Sequence, residues 1–387
     1  MRILKRIGVT ALALALLAAL AFGGLFLWAP TATDTSQLAR GLWWGGSDVD
    51  DWTRFPPRPV SASPEPVSFP NARPDWLAEL RVDDTPFEIY AEESNTTALI
   101  ILHGDELLYE GYFNGGSREA TLTSMSVAKS FTSTLVGIAI DEGLIASLDD
   151  SITVYLPELA DRDQRFAKIT IRHLLTMTSG LRYRSWTSPW DDPTTTYYAP
   201  DLRSAALNRT EIVEEPGTRF VYNDYNPILI GMILERTTGM SVAEYLEAKL
   251  WQAMGSEGDG SWSLDSKKSG MEKMQAGLNA RAIDFAKLGW LFLNQGRHGD
   301  RQVVPADWVE EATRLDITTD PARNYQYFWW IDETRGGYYA EGDFCQYIYV
   351  YPKADLVIVR MGRDCADSWW YGLLGDIAQW IEVRLPD

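Results

Sequence analysis

Residues 126–143 read Ser126-Val-Ala-Lys129-Ser-Phe131-Thr-Ser-Thr-Leu135-Val-Gly-Ile138-Ala139-Ile-Asp-Glu-Gly143. Val127, Ala128, Phe131, Leu135, Ile138 and Ala139 recur near helical spacing, and Gly143 supplies a stop. Apolar residues also fill the other faces, so the pattern predicts a helix buried on most sides. A polar pair opens this helix. Ser126 and Lys129 are three residues apart, which on a helix puts hydroxyl and amine on one face.

Outward from this helix the patterning changes period. Ala98–Leu102 and Leu107–Phe113 are β-rich runs joined by His103-Gly-Asp-Glu106, a hairpin signal. A second hairpin is expected from Gln346–Val350 and Leu356–Arg360 around Tyr351-Pro-Lys-Ala-Asp355. Between them, about 145–275 is helical and loop-rich, including Ile171–Thr178 and Pro227–Arg236. Residues 283–294 form an amphipathic helix, and Trp369–Val383 a last one. Strands at both ends thus bracket a helical middle. The expected class is α+β: an antiparallel sheet built from both ends of the chain and flanked by helices, plus a helical subdomain. The expected folded domain is 73–387, with its α/β part at about 73–145 and 276–387 and its helical part at about 146–275.

The N-terminus reads differently. Arg2, Lys5 and Arg6 precede a mostly apolar run from Ile7 to Ala29, long enough to span a bilayer. A cleaved signal is the alternative, but cutting at Ala19-Leu20-Ala21 leaves Phe22–Trp28 as an apolar stub. Residues 1–29 are therefore expected to be a single-pass anchor in the inner membrane, with the membrane as partner and the remainder facing the periplasm or exterior. Residues 30–72 are expected to be a tether, because six prolines between Pro56 and Pro70 favour an extended path. The formal charge of −19 repels nucleic acid and anionic membrane surfaces, which excludes a nucleic-acid partner. Cys345 and Cys365, with 19 residues between them, are either a disulfide or two small core residues. Oligomeric state is not readable.

Chemistry enters through three elements. A free serine is a poor nucleophile and needs a neighbouring base. A lysine serves if burial lowers its pKa, and Ser126-Val-Ala-Lys129 lies in a helix with that environment. The second element is Pro216-Gly-Thr-Arg-Phe-Val-Tyr222-Asn-Asp224, a tyrosine on a turn that opens a helix. The third is Gly342-Asp343-Phe344-Cys345-Gln346, whose backbone N–H groups can line an oxyanion site with the amide of Ser126. Taken singly, each is also an ordinary solvated lysine, packing tyrosine or glycine turn.

In this order the three elements resemble the serine β-lactamase and penicillin-binding-protein-like superfamily of class C type. Within it, the chain looks like the class C-like esterases and 6-aminohexanoate-oligomer hydrolases. Leu174-Leu-Thr-Met-Thr-Ser-Gly-Leu181, Gly277-Leu-Asn-Ala-Arg281 with Asp284, and Tyr347-Ile-Tyr-Val350 agree with it. The resemblance covers roughly 73–385 and implies a β-lactamase/transpeptidase-like fold without a cofactor or metal. It makes Ser126 the nucleophile and Lys129 with Tyr222 the acid/base pair. The amides of Ser126 and Asp343 become the oxyanion donors, and Asp224 and Gly342 substrate contacts. The implied reaction is hydrolysis of a small-molecule ester or amide through an acyl-enzyme.

Two departures narrow that reading. Asp224 replaces an amide donor of the family pattern with an acceptor-only carboxylate. Asp343 and Cys345 stand on the strand where a Lys-Thr-Gly pairs with a β-lactam carboxylate. Both features rank an esterase or amidase above a β-lactamase or D,D-peptidase. Tyr225-Asn226 offers a second register for the tyrosine element. Trp186, Trp190, Trp329 and Trp330 are either cleft-lining or packing residues. Three histidines, no Gly-x-Ser-x-Gly and no Cys/His cluster make Ser-His-Asp and metal hydrolysis poor rivals. A non-catalytic penicillin-binding or cell-wall sensor module is the rival of a different class.

Overall fold

The computed structural model describes residues 2–28, 37–185, 191–315, 324–366 and 369–385. Its main sheet has seven antiparallel strands: β1 Thr96–His103, β2 Glu106–Tyr112, β3 Tyr325–Gln326, β4 Trp329–Asp332, β5 Gly337–Gly342, β6 Gln346–Tyr351 and β7 Leu356–Gly362. The spatial order is 3-4-5-6-7-1-2. The two expected hairpins therefore meet at the centre, where β7 pairs with β1 from Leu356↔His103 to Gly362↔Thr96. A sheet built from both ends of the chain is what the α+β reading predicts.

Both faces of the sheet are covered, which is why its central strands read as nearly unbroken apolar runs. Ile100, Leu102, Ile348, Val350, Val357 and Val359 belong to one core. Their neighbours Leu99, Ile101, Tyr347, Tyr349, Leu356 and Ile358 belong to a second core, shared with Trp370, Leu374, Ile377 and Ile381 of the last helix, Trp370–Glu382. The first core is closed by the helix Ala282–Leu293, where Gly289 admits close packing. A Cβ on Gly289 would stand 2.6 Å from Val357 Cγ1 and 2.8 Å from Ile348 Cγ2. Ala128–Asp141, preceded by a 3-10 turn at Met125–Val127, is the buried helix expected after Ser126. It packs beside Tyr225–Thr238.

Two regions differ from expectation. The stretch read as an extended tether carries a helix, Gln37–Trp44, a 3-10 turn, Asp51–Thr53, and a strand, Pro57–Val60. That strand pairs with Gly260–Ser263 at the edge of a four-stranded sheet, so the middle of the chain is not purely helical either. An edge strand tolerates Pro57 and Pro59, because their missing N–H groups need no partner on the open side.

The second difference is at the N-terminus. A helix runs from Arg2 to Trp28, yet among the described residues no helix is long and apolar enough to cross a membrane. The single-pass inner-membrane placement and the membrane partner are therefore corrected.

Candidate active site

The chain reaches Ser126 through a strained turn. Met125 has φ +47°, a left-handed conformation uncommon for a residue with a side chain. The turn is tied down on both sides: Ser124 N–H donates to Leu278 O at 2.8 Å, and Thr123 N–H to Val49 O at 2.9 Å. Ser126 then lies half-buried at the head of the helix.

Lys129, one turn along, is buried and its Nζ reaches three oxygens. It donates to Ser126 Oγ at 2.8 Å and to Gln275 O at 2.9 Å, and it meets Asp224 Oδ1 at 2.9 Å. Tyr222 stands beside both Ser126 and Lys129: Lys129 Nζ lies 4.8 Å from the centroid of its ring, and Tyr222 lines the same cleft as Ser126. Burial pushes the Lys129 amine down. The Asp224 carboxylate and Tyr222 outweigh that effect and hold the ammonium above the usual lysine range. The lowering by burial that the sequence suggests is present, and the lysine's neighbours oppose it. Burial, opposed by Lys129 and reinforced by Asp224, raises the Tyr222 phenol.

The structure separates the two tyrosine registers. Tyr225 is fully buried, with its hydroxyl donating to Asp192 Oδ1 at 3.2 Å, and Asn226 accepts from Ser179 Oγ at 2.9 Å. Neither reaches Lys129. Asp224, expected at a substrate contact, instead turns its carboxylate inward, to Lys129 and to the Tyr183 hydroxyl at 2.9 Å.

Gly342 ends β5 directly against the nucleophile. A Cβ there would stand 2.6 Å from Ser124 O and 2.9 Å from Ser126 N, so only glycine fits. Asp343 follows, in the wall of the same cleft as Ser126. The cleft, of about 290 Å³, opens over this junction, lined by Ser126, Tyr222, Trp330, Glu341, Asp343 and Phe344 among others. Cys345 and Cys365 also line it and are joined by a disulfide with Cα atoms 5.1 Å apart.

Of the candidate tryptophans, Trp330 stacks on Tyr222 with ring centroids 6.1 Å apart and planes at 14°. Trp329 is fully buried in the core, while Trp186 and Trp190 lie outside the described residues. Tyr183, Gln275 and Glu341 escaped the sequence reading. Gln275 acts through a backbone carbonyl, which no residue type announces. The histidines take other roles: His173 closes a capping box with Thr170, and His298 Nδ1 bonds Ala253 O at 2.9 Å. Among the described residues no cluster of three or more His, Cys, Asp or Glu is placed to hold a metal ion.

Fold and site geometry together can be set beside known proteins. The beta-lactamase family model matches residues 91–363, most of the chain and all of the site. The chain belongs to the beta-lactamase family. Among its relatives is a 6-aminohexanoate-dimer hydrolase of Paenarthrobacter ureafaciens, 28% identical over 340 residues, covering 81% of this chain and 84% of that one. A Bacillus anthracis structure assigned provisionally to the same activity superposes with a TM-score of 0.78 at 24% identity, over 89% of this chain and 96% of that one. A penicillin-binding protein from Bacillus halodurans does so at 0.61 and 19%, over 76% and 99%. At those identities the two structures establish the fold alone. With the hydrolase relative, the family membership makes this chain a serine hydrolase of the β-lactamase/transpeptidase type, acting on amide or ester bonds.

Proposed function

We propose that the enzyme cleaves a small ester or amide through an acyl-enzyme on Ser126, with Lys129 and Tyr222 sharing the proton work. The observation that carries this reading is the 2.8 Å contact of Lys129 Nζ with Ser126 Oγ, with the Tyr222 ring 4.8 Å from the same Nζ. Ser126 Oγ attacks the carbonyl carbon and gives its proton to the Tyr222–Lys129 pair. The oxyanion collects at the amides of Ser126 and Asp343. Collapse expels the alcohol or amine, which takes the proton from the pair. Water, deprotonated by the same pair, then attacks the acyl carbonyl and releases the acid. Because Asp224 keeps Lys129 charged, we assign the base to the phenolate form of Tyr222, which takes the Ser126 proton to become the phenol, while the Lys129 ammonium supplies electrostatic support and remains protonated throughout.

The lining of the cleft favours an esterase or amidase over a β-lactamase. Glu341 and Asp343 face the substrate from the strand, and a carboxylate-bearing substrate meets repulsion there. The relative's substrate makes 6-aminohexanoate oligomers a class to test beside simple esters. The Cys345–Cys365 disulfide supports an oxidising compartment for the folded domain.

The test is continuous turnover of p-nitrophenyl butyrate. Wild-type enzyme should turn over steadily and be labelled by a fluorophosphonate, and Ser126→Ala should lose both, with a drop of roughly a thousandfold or more. Full activity in Ser126→Ala sinks the site assignment. A single stoichiometric burst favours a penicillin-binding sensor instead.

A further inference from the structure

The turn that follows Gly342 is held from beneath by a residue outside the cleft. Asp343, Phe344 and Cys345 connect β5 to β6, and Phe344 (φ +64°) and Cys345 (φ +60°) both stand in the left-handed region. Successive side-chain-bearing residues persist there only when their surroundings hold them.

The structure displays the holders. Arg360 of β7 is fully buried. Its Nη1 donates to the carbonyls of Phe344 and Cys345, at 2.9 Å each. Its Nη2 donates to Ser94 O at 2.8 Å and Asp364 O at 3.0 Å, and its Nε to Thr96 Oγ1 at 3.0 Å. The guanidinium lies over the Trp370 ring, 4.1 Å from its centroid. Gln346 adds bonds from Nε2 to Phe344 O at 3.2 Å and Gly362 O at 2.6 Å. From the cleft side, the disulfide ties Cys345 to Cys365, just past β7.

A buried guanidinium whose hydrogen bonds go to carbonyl and hydroxyl oxygens rather than to a carboxylate is costly to keep. Lysine, with a single nitrogen, cannot serve the Phe344 and Cys345 carbonyls and at the same time reach Ser94, Asp364 and Thr96. What the arginine secures is the shape of one turn.

We infer that Arg360 is a positioning residue for hydrolysis: through the carbonyls of Phe344 and Cys345 it fixes the 343–345 turn against Ser126, with the Cys345–Cys365 disulfide as a second latch. This rests on the reading of the Asp343 amide as an oxyanion donor. Reduction of the disulfide by an added dithiol transfers two electrons and two protons, leaves two thiols, and frees one latch. Turnover then falls although Ser126, Lys129 and Tyr222 are untouched.

The experiment compares full-length wild type, Arg360→Lys and Cys365→Ser. It reads kcat and KM for p-nitrophenyl butyrate and the affinity of an alkyl boronic acid, which forms a tetrahedral adduct on the nucleophilic serine. Each variant should lose roughly 10- to 100-fold in kcat, a fraction of or equal to the loss of one oxyanion donor. KM should stay within about threefold, and boronate affinity should fall in step with kcat. A merely structural role would lower thermal stability without that parallel. If Arg360→Lys does not fold, Cys365→Ser and dithiol-treated wild type decide. Unchanged kcat and boronate affinity, with both thiols alkylated after reduction, overturn the inference. Loss of Ser126 dependence in the wild type sinks the hydrolase reading itself. Ser126-dependent turnover with boronate affinity unchanged in the variants sinks the positioning role alone.

Discussion

Lys129 Nζ and Asp224 Oδ1 stand 2.9 Å apart, and this ion pair reverses what burial alone does to the lysine. Without the carboxylate, desolvation would favour a neutral amine; with it, the ammonium is retained beside the serine. In the proposed mechanism this assigns the mobile proton to Tyr222.

Asp224→Asn should therefore move the ionisation that limits kcat/KM. Asp224 raises both Lys129 and Tyr222. Its removal lowers both, so the basic form of the pair appears at lower pH, by about one to three pH units. A kcat/KM profile from pH 5 to 11 reads this directly. A limb that stays in place or moves upward contradicts the assignment.

Tyr222→Phe and Tyr225→Phe should part company. The first removes the proposed acid/base hydroxyl beside Ser126 and Lys129 and should lower kcat roughly 10²- to 10⁴-fold. The second removes only a bond to Asp192 and should cost about 1 kcal/mol of stability with kcat nearly unchanged. Equal losses of kcat would return the register to doubt.

Gly342→Ala forces a methyl against backbone atoms that cannot step aside, Ser124 O at 2.6 Å and Ser126 N at 2.9 Å. The expected result is a folded protein destabilised by about 1–3 kcal/mol. Its kcat should drop by roughly a hundredfold, because the strand end no longer seats on the nucleophile. Thermal melting and ester kinetics on one preparation separate the two effects.

Charge at the cleft is open to test with paired substrates. Between an ester bearing an ammonium and its carboxylate-bearing isostere, the wild type should prefer the cation. Asp343→Asn should narrow the preference by roughly fivefold, the size of one exposed charge interaction. The backbone amide of residue 343 survives the change, so the neutral ester serves as internal control. A preference for the anion in the wild type contradicts the prediction.

Residues 37–60 should prove part of the folded unit. A chain starting at Gln37 keeps the strand Pro57–Val60 and the Val49 contact with Thr123. A chain starting at residue 73 loses both, and should melt lower and hydrolyse more slowly. Equal melting temperatures would show the segment to be dispensable.

Much of this was legible in the sequence, for physical reasons. Hairpins and helices carry a period, and β1, β2, β6, β7 and the helix after Ser126 have no competing pattern. Pro57–Val60 was hidden because prolines read as extended tether, while an edge strand accepts them. Asp224 was identified as a departure from the family pattern, but residue type does not say where a carboxylate points, and its inward turn changed the chemistry assigned to Lys129. Arg360 sits in the run Val357-Ile-Val-Arg-Met361, where a charge suggests an outward face. It is buried because backbone carbonyls, which sequence does not display, receive it.

The pairing of β1 with β7 also sets a timetable. Thr96–His103 leaves the ribosome well before Leu356–Gly362, yet the two are paired neighbours in the sheet. Contacts so distant along the chain form late and slowly. Until they form, Arg360 is absent from beneath the Asp343 turn and Gly342 has no seat against Ser126. A chain cut before Leu356 is therefore expected to carry Ser126 and Lys129 without the strand that the proposed reaction needs around them.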